Sequence, residues 1–271
     1  MKKEKDIWQS IESEQQLFNE LNLIDMKDYD KFYIYSVITH STAIEGSTLD
    51  EKETQLLFDE GITKKGTIVE HLMNLDLKKA YEFAAAAARK KTKITPDFLK
   101  SLNALTMMNT GGIHSMPAGT FDSAKGDYRL CGVTAGVGGK SYMDYKKVPG
   151  YVNNLCDDLN KRLEAKKLKD IYNLSFDAHF NLVTIHPWLD GNGRTSRLLM
   201  NYIQFYHGMF PTKVHKEDKG EYIKALVTGR EENSNAPFRE FMAEQHLKTL
   251  KIEIDNFQRG QNESNTFTLL F

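Results

Sequence analysis

The 271-residue sequence predicts an all-α fold interrupted by one β-hairpin. Apolar side chains recur at three- and four-residue spacing through most of the chain, which is the pattern of amphipathic helices. Residues that favour helix ends stand at the borders of these segments. Between residues 109 and 147 glycine becomes frequent and the helical period disappears. The hairpin is therefore expected in that interval.

Capping residues and prolines set the predicted helix ends. Gly46 ends one helix as a C-terminal cap, and Thr48-Leu49-Asp50-Glu51 resembles a capping box that starts the next. Pro96 follows the N-cap residue Thr95, and Pro187 disfavours helix at His186. Besides a short helix after Glu51, helices are predicted over residues 7–24, 30–45, 67–89, 96–108, 149–163, 174–185, 192–206, 220–228 and 236–250.

The hairpin is predicted from an alternating segment. Cys131, Val133, Ala135 and Val137 alternate with glycine and threonine, and a Gly-Gly pair follows. Strict alternation next to a glycine turn is typical of two paired antiparallel strands.

Composition limits the classes of protein. The net charge is −1, with 40% hydrophobic and 27% charged residues, so neither a nucleic-acid partner nor a membrane surface is expected. Two cysteines are too few for a disulfide framework. Neither a signal peptide nor a span of roughly 20 apolar residues is found, and we expect a cytoplasmic protein.

The domain organisation follows from the same patterns. We expect an N-terminal helical region at 1–95, a core domain at 96–250 and a polar, mobile C-terminal tail at 251–271. In that tail, Phe267, Leu269, Leu270 and Phe271 could dock on the core.

The chain is organised around the run from His186 to Arg197, which reads His-Pro-Trp-Leu-Asp-Gly-Asn-Gly-Arg-Thr-Ser-Arg. It lies between two predicted helices. Gly191, Asn192 and Gly193 tolerate positive φ, so successive backbone N–H groups can point into one hollow. Unpaired donors and the helix dipole favour an anion at this position.

Four side chains add chemistry to the hollow. Arg194 and Arg197 carry guanidinium groups that bind phosphate oxygens bidentately. Asp190 is a hard oxygen ligand, suited to Mg²⁺ that is held jointly with phosphates. His186 can accept a proton near neutral pH. The alternative is a polar turn between two helices, which Gly-Asn-Gly by itself would indicate.

The run resembles the signature of the Fic family, His-Pro-Phe-x-Asp/Glu-Gly-Asn-Gly/Lys-Arg-x-x-Arg. It departs from that signature in Trp188, which stands where phenylalanine is usual. The resemblance in organisation extends from about residue 30 to about residue 245. It implies a Fic fold in which ATP and Mg²⁺ are bound and AMP is transferred to a hydroxyl side chain of a protein target. His186 would remove the proton from that hydroxyl.

A second motif, Ser41-Thr42-Ala43-Ile44-Glu45-Gly46, resembles the inhibitory motif of Fic proteins. Ser41 and Glu45 are four residues apart and share a helix face. The resemblance implies that Glu45 competes with the γ-phosphate of ATP for Arg197. We therefore expect an autoinhibited protein whose inhibitory helix covers about residues 30–46. The alternative is an ordinary helix end followed by glycine.

Two further features are similar to parts of Fic proteins. Residues 128–142 resemble the flap that aligns a target segment as an added strand, although a surface hairpin without a partner is the alternative. Tyr222 stands where relatives carry tyrosines near the nucleotide base, and its alternative is core packing. Arg230 takes the region where an asparagine is common.

The function that the resemblance implies is protein adenylyltransferase activity with autoinhibition by Glu45. One alternative is removal of AMP by the same site, with Glu45 positioning water. The other is a non-catalytic Fic-fold adaptor or toxin component. Homo-oligomers are possible. His179 and His186 are seven residues apart and could share a helix face, but a zinc site would need further ligands, which the sequence does not supply. The remaining histidines show no partner pattern and are expected to be structural or on the surface: His40, His71, His114, His207, His215 and His246.

Overall fold

The computed structural model describes residues 2–23, 29–135 and 139–268. Ten α-helices account for most of these residues, which confirms the predicted all-α class. In chain order they are α1 (Lys2–Glu20), α2 (Tyr29–Ile44), α3 (Glu51–Asp59), α4 (Ile68–Arg89), α5 (Pro96–Thr106), α6 (Val148–Arg162), α7 (Leu168–Ile185), α8 (Asn192–Tyr206), α9 (Lys219–Glu231) and α10 (Ala236–Thr268).

Helices α7 and α8 form the centre of the molecule. They pack against each other, α4 and α5 pack on α8, and α10 packs on α7. Most residues of α7 and α8 are buried on every side, as expected for helices enclosed by others. Trp188, Tyr172 and Tyr202 are among the largest fully buried side chains. The loop that joins α7 to α8, which carries the central motif, is therefore held by the core itself.

The sheet lies elsewhere than predicted. Strands β1 (Ile113–Met116) and β2 (Gly119–Asp122) pair antiparallel, with Met116 opposite Gly119 at the turn. The segment 128–142 instead forms one antiparallel bridge between Thr134 and Ser141. Val137 lies outside the described residues.

Two helix ends also differ from the predictions. The N-cap of α3 is Asp50, whose side chain accepts from Glu53 N, whereas Thr48 N donates to Glu70 Oε1. At the other end of the chain, α10 continues to Thr268, so residues 251–268 extend a helix that packs on α1 and do not begin a separate tail. The predicted docking of Phe267, Leu269, Leu270 and Phe271 lies outside the described side chains.

None of the described helices is both long enough and apolar enough to cross a bilayer.

Candidate active site

His186 lies at the point where α7 ends. Its backbone is left-handed, with φ +53° and ψ +60°, and its N–H donates to Leu182 O at 3.0 Å. Pro187 cannot continue the helix because it has no N–H and disfavours helical backbone at the preceding residue. Histidine is among the few residues other than glycine that enter the left-handed region readily. The imidazole is thereby placed at the start of the loop.

The environment of the His186 ring fixes which nitrogen can act as a base. Nδ1 lies 3.3 Å from Val183 O, a contact that requires Nδ1–H and leaves the lone pair on Nε2. The Tyr142 ring stacks on the imidazole with centroids 3.8 Å apart. The pKa of His186 is lowered to about 4, chiefly by burial and also by Arg129 and Arg230, against the opposing effects of the Val183 carbonyl and Asp190. The imidazole is therefore neutral at pH 7.

The aromatic residue of the motif is part of the core. Trp188 is fully buried, and its Nε1–H donates to Gly126 O at 3.0 Å. Its backbone N–H donates to Asn192 Oδ1 at 3.1 Å, and its carbonyl accepts from Asn192 Nδ2 at 2.9 Å. The additional donor of tryptophan, relative to phenylalanine, thus has a partner. The Asn192 side chain closes the loop on itself.

The glycine-rich turn differs from the prediction in two respects: Asn192 and Gly193 are already helical and have no positive φ, and the amide of Gly191 is occupied. Gly191 is left-handed, at φ +78°, and is the N-cap of α8. Its N–H, expected to be an anion donor, already donates to Asp190 Oδ1 at 2.6 Å, because an aspartate side chain can reach the next amide without strain. The first N–H groups of a helix lack intrahelical acceptors, so those of Asn192 and Gly193 are the remaining candidates.

Asp190 and Arg194 form a pair at the opening of the turn. The Asp190 side chain is 68% exposed, whereas Arg194 is buried, and Arg194 Nη2 lies 3.4 Å from Asp190 Oδ2. Arg194 also contacts Thr106 O and Met107 Sδ, and its buried Nε has no hydrogen-bond partner. An orphaned buried donor is unusual and fits a site that receives an anion. The exposed carboxylate fits Mg²⁺, which prefers oxygen ligands and shares them with phosphates.

Arg197 is surrounded by the chain's own acceptors. Its Nε donates to Ser41 Oγ at 2.8 Å, and Nη2 donates to Ser41 O at 2.9 Å. Nη2 also lies 2.6 Å from Glu45 Oε1, and Nη1 donates to Tyr222 OH at 3.2 Å. The guanidinium that was predicted to bind phosphate is therefore occupied by α2 and α9.

Glu45 follows directly after α2 and lies on the first turn of α8. Pairing with Arg197 lowers the pKa of this carboxyl, although burial acts in the opposite direction. A Cβ atom placed on Gly193 would clash with Glu45 Oε1, so the carboxylate touches the surface where a phosphate was predicted. The exposed fraction of the Glu45 side chain is 33%. Glu45 is thus an ionised group at the site's open side.

Tyr222 has a different position from the one predicted. Its ring is 2% exposed and packs beside Phe238 and Phe241. Its hydroxyl contacts His179 Nε2 at 3.0 Å and accepts from Arg197. A ring enclosed in this way presents no face on which adenine could stack. Tyr222 instead contacts Arg197 through its hydroxyl group. Core packing was the alternative prediction for Tyr222, and the burial of its ring agrees with that alternative.

Arg129, which the sequence offers either as a packing residue or as a phosphate ligand, is a packing residue in the structure. Its side chain is fully buried, with Nε donating to His186 O at 2.8 Å, Nη1 to Cys131 O at 2.7 Å and Nη2 to Met143 O at 2.5 Å. Its backbone N–H also donates to Pro187 O. Arg129 thus ties the segment 128–142 to the loop that carries His186. Its only sequence signal was its place beside a glycine-rich segment.

Comparisons with known proteins agree with this architecture. Residues 93–204 match the model of the Fic/DOC family. Two relatives are named "Protein adenylyltransferase Fic", from Drosophila erecta and Drosophila grimshawi, each 29% identical over 218 residues. These alignments cover 79% of this chain but 41% and 42% of the fly proteins. The chain spans about two-fifths of the length of these curated relatives.

Solved structures show the same fold. A Fic-domain-containing signalling protein from Bacteroides thetaiotaomicron superposes with a TM-score of 0.76 at 22% identity, covering 90% of this chain and 95% of the other. A fragment of Fic-1 from C. elegans gives 0.71 at 21% identity, covering 95% and 74%. The molecule has a Fic fold, and within it residues 93–204 match the model of the Fic/DOC family.

Proposed function

We propose that this protein transfers AMP from ATP to a hydroxyl group of a protein target, and that Glu45 restrains this activity. The observation that carries the proposal is the placement of a neutral, Nδ1-anchored His186 one short loop before the glycine-flanked N-terminus of α8. The likeness of the chain to relatives named protein adenylyltransferase supports the same reaction.

The chemistry divides between a base and a phosphate site. The target oxygen attacks the α-phosphorus, the new O–P bond forms as the bond to the β-phosphate oxygen breaks, and pyrophosphate leaves. His186 Nε2 takes the proton of the hydroxyl group. Nearby phosphate charge raises the proton affinity of an imidazole, which offsets the lowering of the His186 pKa by burial. Arg194 and the first amides of α8 stabilise the phosphate charge.

The residues present fit Mg²⁺. Asp190 would hold the ion together with the nucleotide phosphates, and the bound ion would supply charge neutralisation of those phosphates. This use of Asp190 competes with its contact to Arg194 at 3.4 Å, which is long enough to be exchanged at low cost.

Autoinhibition would follow from the occupied state of Arg197. Release of this guanidinium requires loss of a charge-assisted hydrogen bond to Glu45, which contributes on the order of 1.5–3 kcal/mol. That free energy corresponds to roughly a tenfold to hundredfold lower occupancy by a competing phosphate. The isolated protein is therefore expected to be nearly silent.

The test is incorporation of label from ATP that is radioactive at the α-phosphate. Glu45→Gly is expected to label itself and lysate proteins more strongly than the parent, by roughly tenfold to a hundredfold. The matched control Glu45→Gly/His186→Ala should lose roughly 10²–10⁴ of that rate while still binding ATP. Equal labelling by Glu45→Gly and by the double variant would contradict the assignment of His186.

A second candidate reaction uses the same residues. The one-third exposure of Glu45 leaves its carboxylate accessible to water, so it could position water for removal of AMP from a modified target. Incubation of the parent with an AMP-modified protein, followed by measurement of free AMP, separates the two reactions. A non-catalytic adaptor would be indicated by failure to bind ATP and Mg²⁺ in a titration.

The proposal extends to how a target binds and to the compartment of the protein. The segment 128–142 has a single bridge, and its backbone could pair with an extended peptide from the target. Cys131 and Cys156 are both free, which supports a reducing compartment such as the cytoplasm.

A further inference from the structure

Two histidines that are far apart in the sequence meet on the other side of α2. His40 belongs to α2, and His215 follows α8 in the segment that leads to α9. Their rings lie 5.2 Å apart, and both side chains are almost fully buried. Glu217 joins them, so that one ligand atom from each of the three residues lies within 4.8 Å of the others. The sequence did not predict this meeting because 174 residues separate His40 from His215.

We propose that His40, His215 and Glu217 form a binding site for a divalent transition metal of the zinc class, which fastens α2 to the segment between α8 and α9. Imidazole nitrogen and carboxylate oxygen are the ligands of such ions. The three residues border a cleft of about 610 Å³, which leaves room for water as a fourth ligand. In a tetrahedral shell with bonds near 2 Å, ligand atoms lie about 3.3 Å apart, so separations of up to 4.8 Å must shorten by as much as about 1.5 Å.

The outer partners of the two rings resemble those of metal-bound histidines. His40 Nε2 lies 3.3 Å from Glu51 Oε1, and His215 Nε2 lies 3.0 Å from Thr249 Oγ1. Histidine ligands commonly use one nitrogen for the metal and the other for a carboxylate or a similar acceptor, which fixes the orientation of the ring. This pattern leaves Nδ1 of both rings for the metal. His40 Nδ1 also lies 4.0 Å from Glu217 Oε2.

One contact must be exchanged when a metal binds. The backbone N–H of Lys216 now donates to His40 Nδ1 at 3.0 Å. This amide belongs to a short 3₁₀ turn, residues Lys216–Asp218, that also carries Glu217. A small movement of the turn can withdraw the amide and bring the carboxylate closer.

The charges around the cleft favour a cation. Lys213 contacts Ser36 Oγ and lies 3.4 Å from Glu253 Oε1, and Lys248 pairs with Asp218 at 2.6 Å. Each lysine is thus offset by its own carboxylate. Glu51 and Glu217 remain as negative charges of the cluster, and an incoming divalent ion balances them.

The position of the metal site suggests a regulatory effect on the proposed transferase function, and this regulatory effect rests on that proposed function. His40 directly precedes Ser41, whose hydroxyl and carbonyl hold Arg197. A metal that fixes His40 to the segment after α8 stabilises the arrangement in which Ser41 and Glu45 occupy that arginine. The ion would therefore strengthen autoinhibition.

The binding claim is tested without any activity assay. The full chain, freed of metal with a chelator, is titrated with Co²⁺, and the visible absorption of coordinated cobalt is recorded, with Zn²⁺ as competitor. The parent is expected to bind one equivalent. Glu217→Gln and His215→Gln should weaken binding at least about tenfold, whereas His114→Gln and Asp190→Asn should bind as the parent does. Glu217 is exposed, so its variant should fold.

The outcomes separate the two claims. Absence of cobalt absorption in the parent, or equal absorption in Glu217→Gln, would overturn the site. The regulatory consequence is tested by ATP labelling: Zn²⁺ should lower labelling by the parent more than labelling by Glu217→Gln. Equal effects on both would overturn that consequence, while Glu45→Gly labelling with Mg²⁺ and without added Zn²⁺ independently reports whether the proposed transferase activity exists.

Discussion

Nη2 of Arg197 in α8 lies 2.6 Å from Oε1 of Glu45 at the end of α2, across 152 residues of sequence. The two residues are joined by an ion pair whose arginine is 3% exposed and whose glutamate is 33% exposed. Burial of the arginine makes the pair costly to break without a substitute anion. A phosphate is such a substitute, so the same guanidinium can serve either the inhibited or the active state.

Ser41→Ala should release the site less than Glu45→Gly does. The serine hydroxyl accepts one hydrogen bond from Arg197, and its carbonyl, which the substitution keeps, accepts another. Loss of one such bond costs about 0.5–1.5 kcal/mol, or roughly twofold to tenfold in labelling. We expect the order Glu45→Gly, then Ser41→Ala, then parent, in initial rates with α-labelled ATP. A Ser41→Ala rate equal to that of Glu45→Gly would contradict the prediction that the Glu45 carboxylate contributes more to inhibition than the Ser41 hydroxyl does.

The effect of Gly193→Ala on the free energy of unfolding should depend on Glu45. A Cβ at position 193 would clash with Glu45 Oε1 and lie 3.2 Å from Arg197 Nη1, so the substitution should lower the free energy of unfolding in the parent. In the Glu45→Gly background the clash is absent, and alanine should stabilise α8 by up to about 1 kcal/mol. Urea unfolding of the four proteins gives the coupling, expected at about 0.5–3 kcal/mol. Additive effects would show that Glu45 does not touch Gly193 in solution.

The central motif could be predicted from sequence because its parts are local. Pro187 ends α7 and Gly191 starts α8, so the placement of His186 follows from chain neighbours alone. The contact between Arg197 and Glu45 came from the family resemblance, since no local rule joins residues so far apart. Its geometry was then found as expected.

What could not be predicted depends on tertiary packing. The core position of Tyr222 is decided by Phe238 and Phe241 of α10, and apolar spacing alone does not separate a buried ring from one that faces a ligand. The predicted position of the sheet, in residues 128–142, lies after its observed position at 113–122. Alternation of apolar residues indicates extended backbone but does not identify the strand with which that backbone pairs. In the structure, side-chain bonds from Arg129 hold that segment instead.

Acid should destabilise the protein before its carboxylates titrate. Burial lowers the pKa of His246 to about 3 and that of His179 well below its usual range, whereas unfolded histidine titrates near 6.5. Between these values the unfolded state binds more protons, so stability is complete above about pH 6.5 and falls as the pH decreases. Each such histidine contributes a slope of about 1.4 kcal/mol per pH unit.

Urea unfolding between about pH 7 and about pH 5 measures that slope, because histidines dominate titration in this range. His246→Gln should reduce the slope by one proton. A free energy of unfolding that is constant over the interval would contradict the buried, neutral state of these rings.

Arg129→Lys should loosen the segment 128–142 while leaving the nucleotide site in place. The guanidinium donates to three carbonyls, those of His186, Cys131 and Met143, and its planar fork holds them in fixed directions. A lysine ammonium on a flexible stem does not reproduce that arrangement, and at least one buried carbonyl is left unpaired at a cost of about 1–3 kcal/mol. In the Glu45→Gly background, ATP affinity from titration should change little, because no phosphate-binding group is altered. Labelling of target proteins should fall, since both the backbone of the His186 loop and the segment proposed to align the target lose their common anchor. If ATP affinity falls as much as labelling does, Arg129 acts on the nucleotide site itself and not through the segment that it holds.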